Sequence, residues 1–349
     1  MNLKFLAGII LSGICGILIS CQPDPPEPEA ESGFPGFVQP AHFPPAVYHF
    51  GTNPVTEAGF KLGKKLFYDP ILSIDNTVSC GSCHLPSNAF AQLGHNVSHG
   101  VEDRLGRRNS PALQHLAWMT SFFHDGGVVD LDLQPIQPIT AHDEMAQDIT
   151  VLPEKLAAIP EYKNLFREAF GTEEITNTFL LKALSQFMVM CVSSNSKYDS
   201  VVTGIASYSA IEEKGYTIFK SKCESCHREP LFTDFSFRNN GLPATSIDDQ
   251  GRFEITSHEE DKYKFKVPSL RNLQYTSPYM HDGRMTSLEE VLDHYSAHIP
   301  DTYGTLDESL KKADGIPAIT LTDEEKTALL GFLKTLNDRQ FVLNPLLAE

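Results

Sequence analysis

Two C-x-x-C-H pentapeptides, at residues 80–84 (CGSCH) and 223–227 (CESCH), constrain this chain more than any other feature. Two cysteines at that spacing can each form a thioether with a haem vinyl group, and the following histidine can bind the iron. The alternatives are zinc half-sites or redox dithiols. Neither motif has a second Cys/His pair at zinc-finger spacing, and no βαβ pattern of thioredoxin type surrounds them. We therefore predict two covalently bound c-type haems, whose ligands are Cys80, Cys83 and His84 for one and Cys223, Cys226 and His227 for the other.

Residues 1–20 read as an export signal rather than as part of the fold. Lys4 precedes an apolar run that is too short to span a bilayer comfortably, and residues 18–21 (LISC) resemble a bacterial lipobox. We expect cleavage before Cys21 and lipidation of its thiol. The protein would then be a lipoprotein on the periplasmic side of the cell envelope, with membrane contact only through that lipid. An ordinary signal peptide cleaved nearby is the alternative.

Residues 21–50 are rich in proline and have no apolar period, which predicts a semi-rigid, extended tether. The remaining length suits two domains, which we place at residues 51–200 and 201–349. The seven cysteines are nearly all assigned, with Cys15 in the leader. Only Cys191 is left, and its apolar surroundings predict a buried thiol.

The formal net charge is −17, and no basic stripe offsets it. This excludes nucleic acid as a partner. An acidic surface would suit a basic partner such as a small cationic cytochrome c, through electrostatic steering. Solubility alone explains the charge equally well.

Helical patterns dominate, at residues 57–68, 153–170, 175–192 and 209–223, and capping boxes begin at Ser287 and Thr322. A short strand fits only near residues 262–267. Each haem motif is followed by Pro-x-Leu and then by His-Asp-Gly, and Pro111 and His124 have the same spacing as Pro268 and His281. The fold is therefore predicted to be mainly α, with two cytochrome-c-like domains related by pseudo-twofold duplication and one haem in each.

Further fingerprints follow the haem motifs in a fixed order: residues 106–111 (GRRNSP), 123–126 (FHDG), 144–145 (EM), 265–272 (FKVPSLRN) and 278–283 (PYMHDG). Through them the chain resembles the bacterial di-haem cytochrome c peroxidases, including the MauG-like branch, over about residues 55–340. The resemblance implies an enzyme that reduces H2O2 with electrons from a small periplasmic donor, a cytochrome c or a cupredoxin. It implies that the His84 haem is the peroxide site, that the His227 haem relays electrons, and that a homodimer is a candidate assembly.

The resemblance also assigns residues around the peroxide site. Glu144 matches the catalytic acid/base, which must move a proton between the two peroxide oxygens. Gln134 matches a residue that helps to position the distal side by hydrogen bonding. His99 matches a distal histidine that caps the haem iron in many oxidised members. His95 is a competing candidate for that cap, and an exposed loop histidine is the plain alternative for His99.

A calcium ion is implied between the domains, bound by the side chain of Asn109 and the backbone carbonyls of Thr276 and Pro278. The chain departs from the pattern at His124, where many members have a tryptophan between the haems. Its only tryptophan is Trp118, six residues upstream. We interpret His124 as an interdomain structural residue. The alternatives are that His124 relays electrons through hydrogen bonds or binds a metal.

Tyr295 lies fourteen residues after His281, where typical peroxidases have methionine and the MauG-like branch has tyrosine. We favour Tyr295 as the axial ligand of the His227 haem; the alternative is a core tyrosine with Met280 or Met285 as the ligand. A phenolate would stabilise ferric iron and lower the potential. Two other functions therefore remain: a MauG-like oxidase that uses peroxide to modify a partner protein, and a non-enzymatic di-haem electron carrier.

Overall fold

The computed structural model describes residues 33–349, of which residues 35–349 form one compact unit. The predicted export signal and the candidate lipidation site Cys21 lie outside the described residues. Within residues 33–349, the search for a helix long and apolar enough to cross a membrane found none.

The described part of the chain is mainly helical. Its α-helices, in chain order, are α1 Glu57–Tyr68, α2 Cys80–Cys83, α3 Ile136–Thr140, α4 Leu152–Ala157, α5 Pro160–Phe170, α6 Asn177–Met188, α7 Lys197–Val202, α8 Ala210–Lys222, α9 Phe253–Thr256, α10 Leu288–Ser296, α11 Asp323–Lys334 and α12 Arg339–Val342. Single-turn 3-10 helices lie at Pro70–Leu72, Pro86–Asn88, Val101–Asp103, Leu116–Trp118, Leu131–Leu133, Ile149–Val151 and Glu259–Asp261. Two short strands, β1 Phe237–Arg238 and β2 Phe265–Lys266, pair antiparallel.

Local capping explains where several helices begin. The side chain of Thr56 accepts a hydrogen bond from the Gly59 amide and starts α1 at the predicted position. The capping boxes at Ser287 and Thr322 start α10 and α11, as their sequence spacing predicts. The pattern over residues 153–170 is divided into α4 and α5, because Pro160 can open a helix but lacks the amide needed to continue one.

The same close contact recurs in two helix pairs, α1 with α6 and α8 with α11. A Cβ on Gly63 of α1 would overlap the carbonyl oxygen of Ala183 in α6. A Cβ on Gly215 of α8 would overlap the carbonyl oxygen of Ala328 in α11 in the same way. Glycine therefore allows the two backbones of each pair to touch. In both pairs the first helix precedes a haem motif in the sequence.

Aromatic side chains fill the space around each pair. One cluster lies on α1 and α6 and reaches residue 90, and comprises Phe60, Phe67, Phe90 and Phe187. The other surrounds α8 and α11, and its aromatic members are Tyr198, Phe219, Phe232 and Phe332. Burying each such side chain contributes about 1.5–3 kcal/mol. These clusters hold the helices that position the haem motifs.

Residues 35–50, which we expected in the tether, belong to the compact unit and pack against the rest of it. Phe43 is 7% exposed and meets the ring of Trp118 edge-on at 5.3 Å. The amide of Val47 donates to the carbonyl oxygen of Ala117 at 2.8 Å. His42 Nε2 donates to Asp199 at 2.7 Å. The extended segment therefore adds to the core through aromatic and polar contacts.

Candidate functional site: the haem-binding motifs and the cavity of His84

The histidine of the first haem motif is oriented by the backbone. His84 Nδ1 donates to the carbonyl oxygen of Phe90 at 2.7 Å. This fixes the tautomer and leaves Nε2 unprotonated, as an iron ligand must be. Burial lowers the pKa of His84, which keeps the imidazole neutral. Cys80 and Cys83 lie on the single turn of α2 just before it.

The second motif repeats this arrangement. His227 Nδ1 lies 3.1 Å from the carbonyl oxygens of both Phe232 and Pro268. Burial lowers the pKa of His227 too, so its Nε2 is also available for a metal. Cys223 follows the last residue of α8, and Cys226 lies one turn further on. Both motifs thus have the donor set of a c-type haem.

A cavity of about 570 Å³ opens beside the first motif. The cavity is lined by the haem-motif residues Cys80, Cys83 and His84. It is also lined by the three residues assigned to peroxide chemistry, His99, Gln134 and Glu144, which come from separate loops. Cofactor sites in proteins are concave, mostly apolar and of this size. The residues therefore fit a haem held on one side by His84, with the peroxide candidates around it.

Glu144 is a cavity carboxyl group whose pKa is raised to the neutral range. Burial raises the pKa of Glu144 to about 7, and the nearby charge of Asp143 adds to this effect. Among the described residues, its carboxylate has no hydrogen-bond or ion-pair partner. Its charge also raises the pKa of the Cys80 and Cys83 thiols, so it lies close to both. A carboxyl group in this state can exchange protons with a bound substrate.

The His99 loop is docked against the Glu144 turn. The amide of Val101 donates to the carbonyl oxygen of Glu144 at 2.8 Å. His99 Nδ1 donates to Asp103 at 2.7 Å, and its ring lies 4.3 Å from that of His95. His99, unlike His95, lines the cavity. This geometry favours His99 over His95 as the distal histidine.

Gly100 makes this docking possible, and we expect Gly100→Ala to disturb it. A Cβ at position 100 would overlap the carbonyl oxygens of Asp143 and Glu144. Relieving the overlap should cost about 1–3 kcal/mol of stability and slow the reaction with peroxide, because Glu144 moves with its backbone. Denaturant unfolding and stopped-flow mixing with H2O2 measure the two effects. Gly331→Ala is the control, because a Cβ there makes only ordinary contacts with Ile211. Equal stability and equal peroxide rates in the two variants would contradict the expectation.

Asn109, a predicted calcium ligand, lies where the two halves of the sequence meet. Its amide donates to the carbonyl oxygen of His281 at 2.7 Å, and its side-chain Nδ2 donates to that of Asn96 at 3.0 Å. His281 is three residues after Pro278, so Asn109 lies near the segment of the other predicted ligands. Among residues 33–349, no group of three or more His, Cys, Asp or Glu could hold a metal. A calcium ion would have to rely on amide and carbonyl oxygens, which are hard ligands that suit it.

His124 supports the backbone at this junction. Its Nε2 donates to the carbonyl oxygen of Asn109 at 2.9 Å, and its own carbonyl oxygen accepts from the Lys266 amide at 2.7 Å. Burial lowers the pKa of His124 to about 4, so the ring is neutral. These contacts agree with the structural interpretation of His124.

Tyr295 and Met280, the competing axial ligands, both lie beside Asn240. Asn240 Nδ2 lies 3.5 Å from Met280 Sδ. The Asn240 side chain is also close enough to Tyr295 to oppose the rise in the pKa of its hydroxyl group. Burial raises the pKa of Tyr295, and Cys226 and Cys223 add to the rise, which places the phenol close to the second haem motif. Met285 lies opposite Tyr279 in an isolated bridge. Tyr295 as the axial ligand stays a prediction, with Met280 beside the same Asn240.

Sequence reasoning did not identify Asn240 or Lys266 as site residues. Asn240 lies in a loop without a motif, so nothing local marked it. Lys266 could have been noticed in the sequence, because it is a charged residue between the apolar residues Phe265 and Val267. It lines the His84 cavity.

Comparisons with known proteins identify the family of this chain. The family model for di-haem cytochrome c peroxidases matches residues 57–207. The chain is 38% identical to the methylamine utilization protein MauG of Methylorubrum extorquens, over 84% of this chain and 82% of that protein. It is 33% identical to the cytochrome c551 peroxidase of Nitrosomonas europaea, over 67% and 71%. A solved MauG-like protein associated with microbial copper homeostasis superposes with a TM-score of 0.78 at 32% identity, covering 89% of this chain and 97% of that one. The chain therefore belongs to the di-haem cytochrome c peroxidase family, which includes the MauG proteins.

Proposed function

We propose that this protein is a c-type peroxidase that reduces H2O2 to water with electrons from a small donor protein, such as a cytochrome c or a cupredoxin. The observation that carries the proposal is Glu144, an unpartnered carboxylate in the His84 cavity with a pKa of about 7. Such a group can both accept and release a proton at neutral pH. A di-haem electron carrier has no use for it, which counts against the non-enzymatic alternative.

In this proposal each side chain of the cavity has one task. His84 would hold the haem iron through Nε2, and the haem would supply the redox-active metal. Glu144 would take a proton from one peroxide oxygen and give it to the other, which would leave as water. Gln134 helps to orient the peroxide by hydrogen bonding. Two electrons and two protons then convert each H2O2 to two waters.

The second haem would take electrons from the donor and pass them on. We infer that one haem-binding unit has been duplicated. Two repeated features support this: the glycine contacts of α1/α6 and α8/α11, and the hydrogen bond from each motif histidine to a carbonyl oxygen.

We also propose one calcium ion at Asn109, Thr276 and Pro278. The contact between Asn109 and His281 supports it, because it brings these segments together.

The cellular setting is also a proposal. An export signal ending at Cys21 would anchor the protein by a lipid on the periplasmic side of the envelope. A net charge of −17 favours a donor with a basic surface. A homodimer remains a proposal from the family.

Steady-state H2O2 reduction by the haem-loaded protein tests the function, with reduced small cytochrome c as the donor. The assay starts from the fully oxidised and from the half-reduced protein. Turnover only after half-reduction indicates a gated peroxidase with His99 as the cap, and turnover from both states indicates an open site. Rapid spectral change with peroxide but no turnover from either state would contradict the peroxidase proposal.

That last result would favour the second candidate, a MauG-like oxidase that uses peroxide to modify a partner protein. The observation in its favour is Tyr295, which is half-buried and close enough to Cys226 and Cys223 for them to raise its pKa further. An anionic phenolate ligand stabilises oxidised iron and makes the haem a poor store of electrons. Such a haem is better suited to sharing oxidising equivalents with the other haem than to relaying electrons from a donor protein.

We expect Tyr295→Met to raise the midpoint potential of one haem. A thioether favours ferrous iron relative to a phenolate, so the direction follows from the ligand. Spectroelectrochemical titration of the loaded protein measures it. Met280→Leu is the matched control, because Met280 lies beside the same Asn240. If the midpoint potential changes strongly in Met280→Leu and stays the same in Tyr295→Met, Met280 is the axial ligand.

A further inference from the structure

Lys266 places a positive charge in the His84 cavity without a negative partner. Its side chain lines that cavity, and Nζ donates to the carbonyl oxygen of Ser121 at 2.5 Å. Within the part of the chain that the structure describes, no carboxylate lies within ion-pair distance of Nζ. The neighbouring lysine of the same segment, Lys264, is paired with Asp261. Lys266 is therefore the exception in its own segment.

The nearest carboxylate in electrostatic terms is already engaged. Asp125 attracts Lys266 weakly, but it forms an ion pair with Arg108, and it accepts from the Gly127 amide at 2.9 Å. Arg108 in turn binds Asp249 through two nitrogens, at 2.6 and 2.8 Å. Both oxygens of Asp125 are therefore engaged by other groups, and neither forms an ion pair with Lys266.

The backbone holds Lys266 in this position. Its amide donates to the carbonyl oxygen of His124 at 2.7 Å, and it pairs with Phe237 across the two strands. The next amide, of Val267, donates to the carbonyl oxygen of Ser236 at 2.8 Å. The side chain is thus directed into the cavity by fixed strands rather than by a mobile loop.

A buried ammonium group is costly unless an anion compensates it. Burial lowers the pKa of Lys266 to about 8, although Asp125 opposes the shift. An anion in the cavity would remove most of this cost and keep the lysine charged. A c-type haem carries two propionate groups, and it is the anionic group that Cys80, Cys83 and His84 would bring into this cavity.

We propose that the Lys266 ammonium group binds a propionate of the haem attached through Cys80 and Cys83. The proposal rests on haem attachment at this motif and not on peroxidase activity. The lysine neutralises one carboxylate and places a positive charge beside the porphyrin. It therefore favours the reduced form of that haem and raises its midpoint potential.

The test compares Lys266→Met and Lys266→Arg with the control Lys264→Met in the haem-loaded protein. Methionine removes the charge at similar length, and arginine keeps it. We expect the potential of the His84 haem to fall in Lys266→Met, to return towards the wild-type value in Lys266→Arg, and to stay unchanged in Lys264→Met. The propionate bending mode in the resonance Raman spectrum should shift only in Lys266→Met. These readouts do not involve peroxide turnover, so they are independent of the peroxidase proposal.

Unchanged potentials and an unchanged propionate mode in a fully loaded Lys266→Met protein would overturn the proposal, as would a change confined to the His227 haem. Wild-type protein gives a second test that survives misfolding of the variant. Lysine-selective 15N NMR should show one ammonium resonance that shifts strongly between the ferric and ferrous states of the His84 haem. If no lysine resonance shifts with the oxidation state of that haem, Lys266 does not bind its propionate.

Discussion

Glu144→Gln is expected to slow the reaction of the loaded protein with H2O2 by about 10²–10⁴-fold, while both haems stay attached. The glutamine has nearly the same shape, so the cavity and His84 should be undisturbed. It cannot accept a proton at neutral pH, so it cannot replace the carboxylate in proton transfer. Stopped-flow mixing with peroxide measures the rate, and the pyridine haemochrome spectrum measures the haem content.

The pH dependence separates proton transfer from a simple change of shape. The pKa of Glu144 is about 7, so the wild-type rate should fall as the pH decreases below 7 and the carboxylate becomes protonated. This dependence should be absent from the slow Glu144→Gln variant. Asp143→Asn is the matched control. It removes a charge that raises the pKa of Glu144, so the dependence should move to lower pH with a similar maximum rate. A fully active Glu144→Gln protein would remove Glu144 from the mechanism.

Local features of the fold were predictable because local chemistry determines them. The capping boxes at Ser287 and Thr322 contain their own hydrogen-bond partners, so α10 and α11 begin where the sequence indicates. The division between α4 and α5 was missed, although Pro160 marks it in the sequence, because proline lacks the amide needed to continue a helix. The haem motifs could be recognised without long-range information, because the three haem-binding residues of each motif lie within five consecutive positions.

Features that depend on distant residues were not predictable in the same way. The proline-rich composition of residues 35–50 indicates an extended chain, and it does not show that Phe43 packs against Trp118. Gln134, Glu144 and His99 come from separate loops, and only the family resemblance placed them at one site. The charge of Lys266 is visible in the sequence, but its lack of a carboxylate partner depends on Arg108, which binds Asp125.

The largest expected effect on stability concerns Arg271, whose side chain is 0% exposed. Its guanidinium group donates to both oxygens of Asp199, at 2.9 and 2.7 Å, and to the carbonyl oxygen of Pro230 at 2.9 Å. Burial alone would raise the pKa of Asp199, but hydrogen bonds from Arg271 and Ser196 outweigh it and lower the pKa to about 2. His42 donates to the same carboxylate. One buried ion pair thus joins both halves of the sequence and residues 35–50.

Arg271→Leu should lower the free energy of unfolding by about 3–5 kcal/mol, because it leaves the Asp199 carboxylate buried without its main partner. Denaturant unfolding followed by tryptophan fluorescence measures this, since Trp118 packs against Phe43 beside the pair. Arg167→Leu is the control: its ion pair with Glu173 is exposed, so its loss should cost about 0–1 kcal/mol. Adding Asp199→Leu to Arg271→Leu should recover part of the loss, because the unpaired charge is then gone. If Arg271→Leu behaves like Arg167→Leu, the buried pair does not hold these segments together, and aromatic packing around Phe43 and Phe232 must account for the junction.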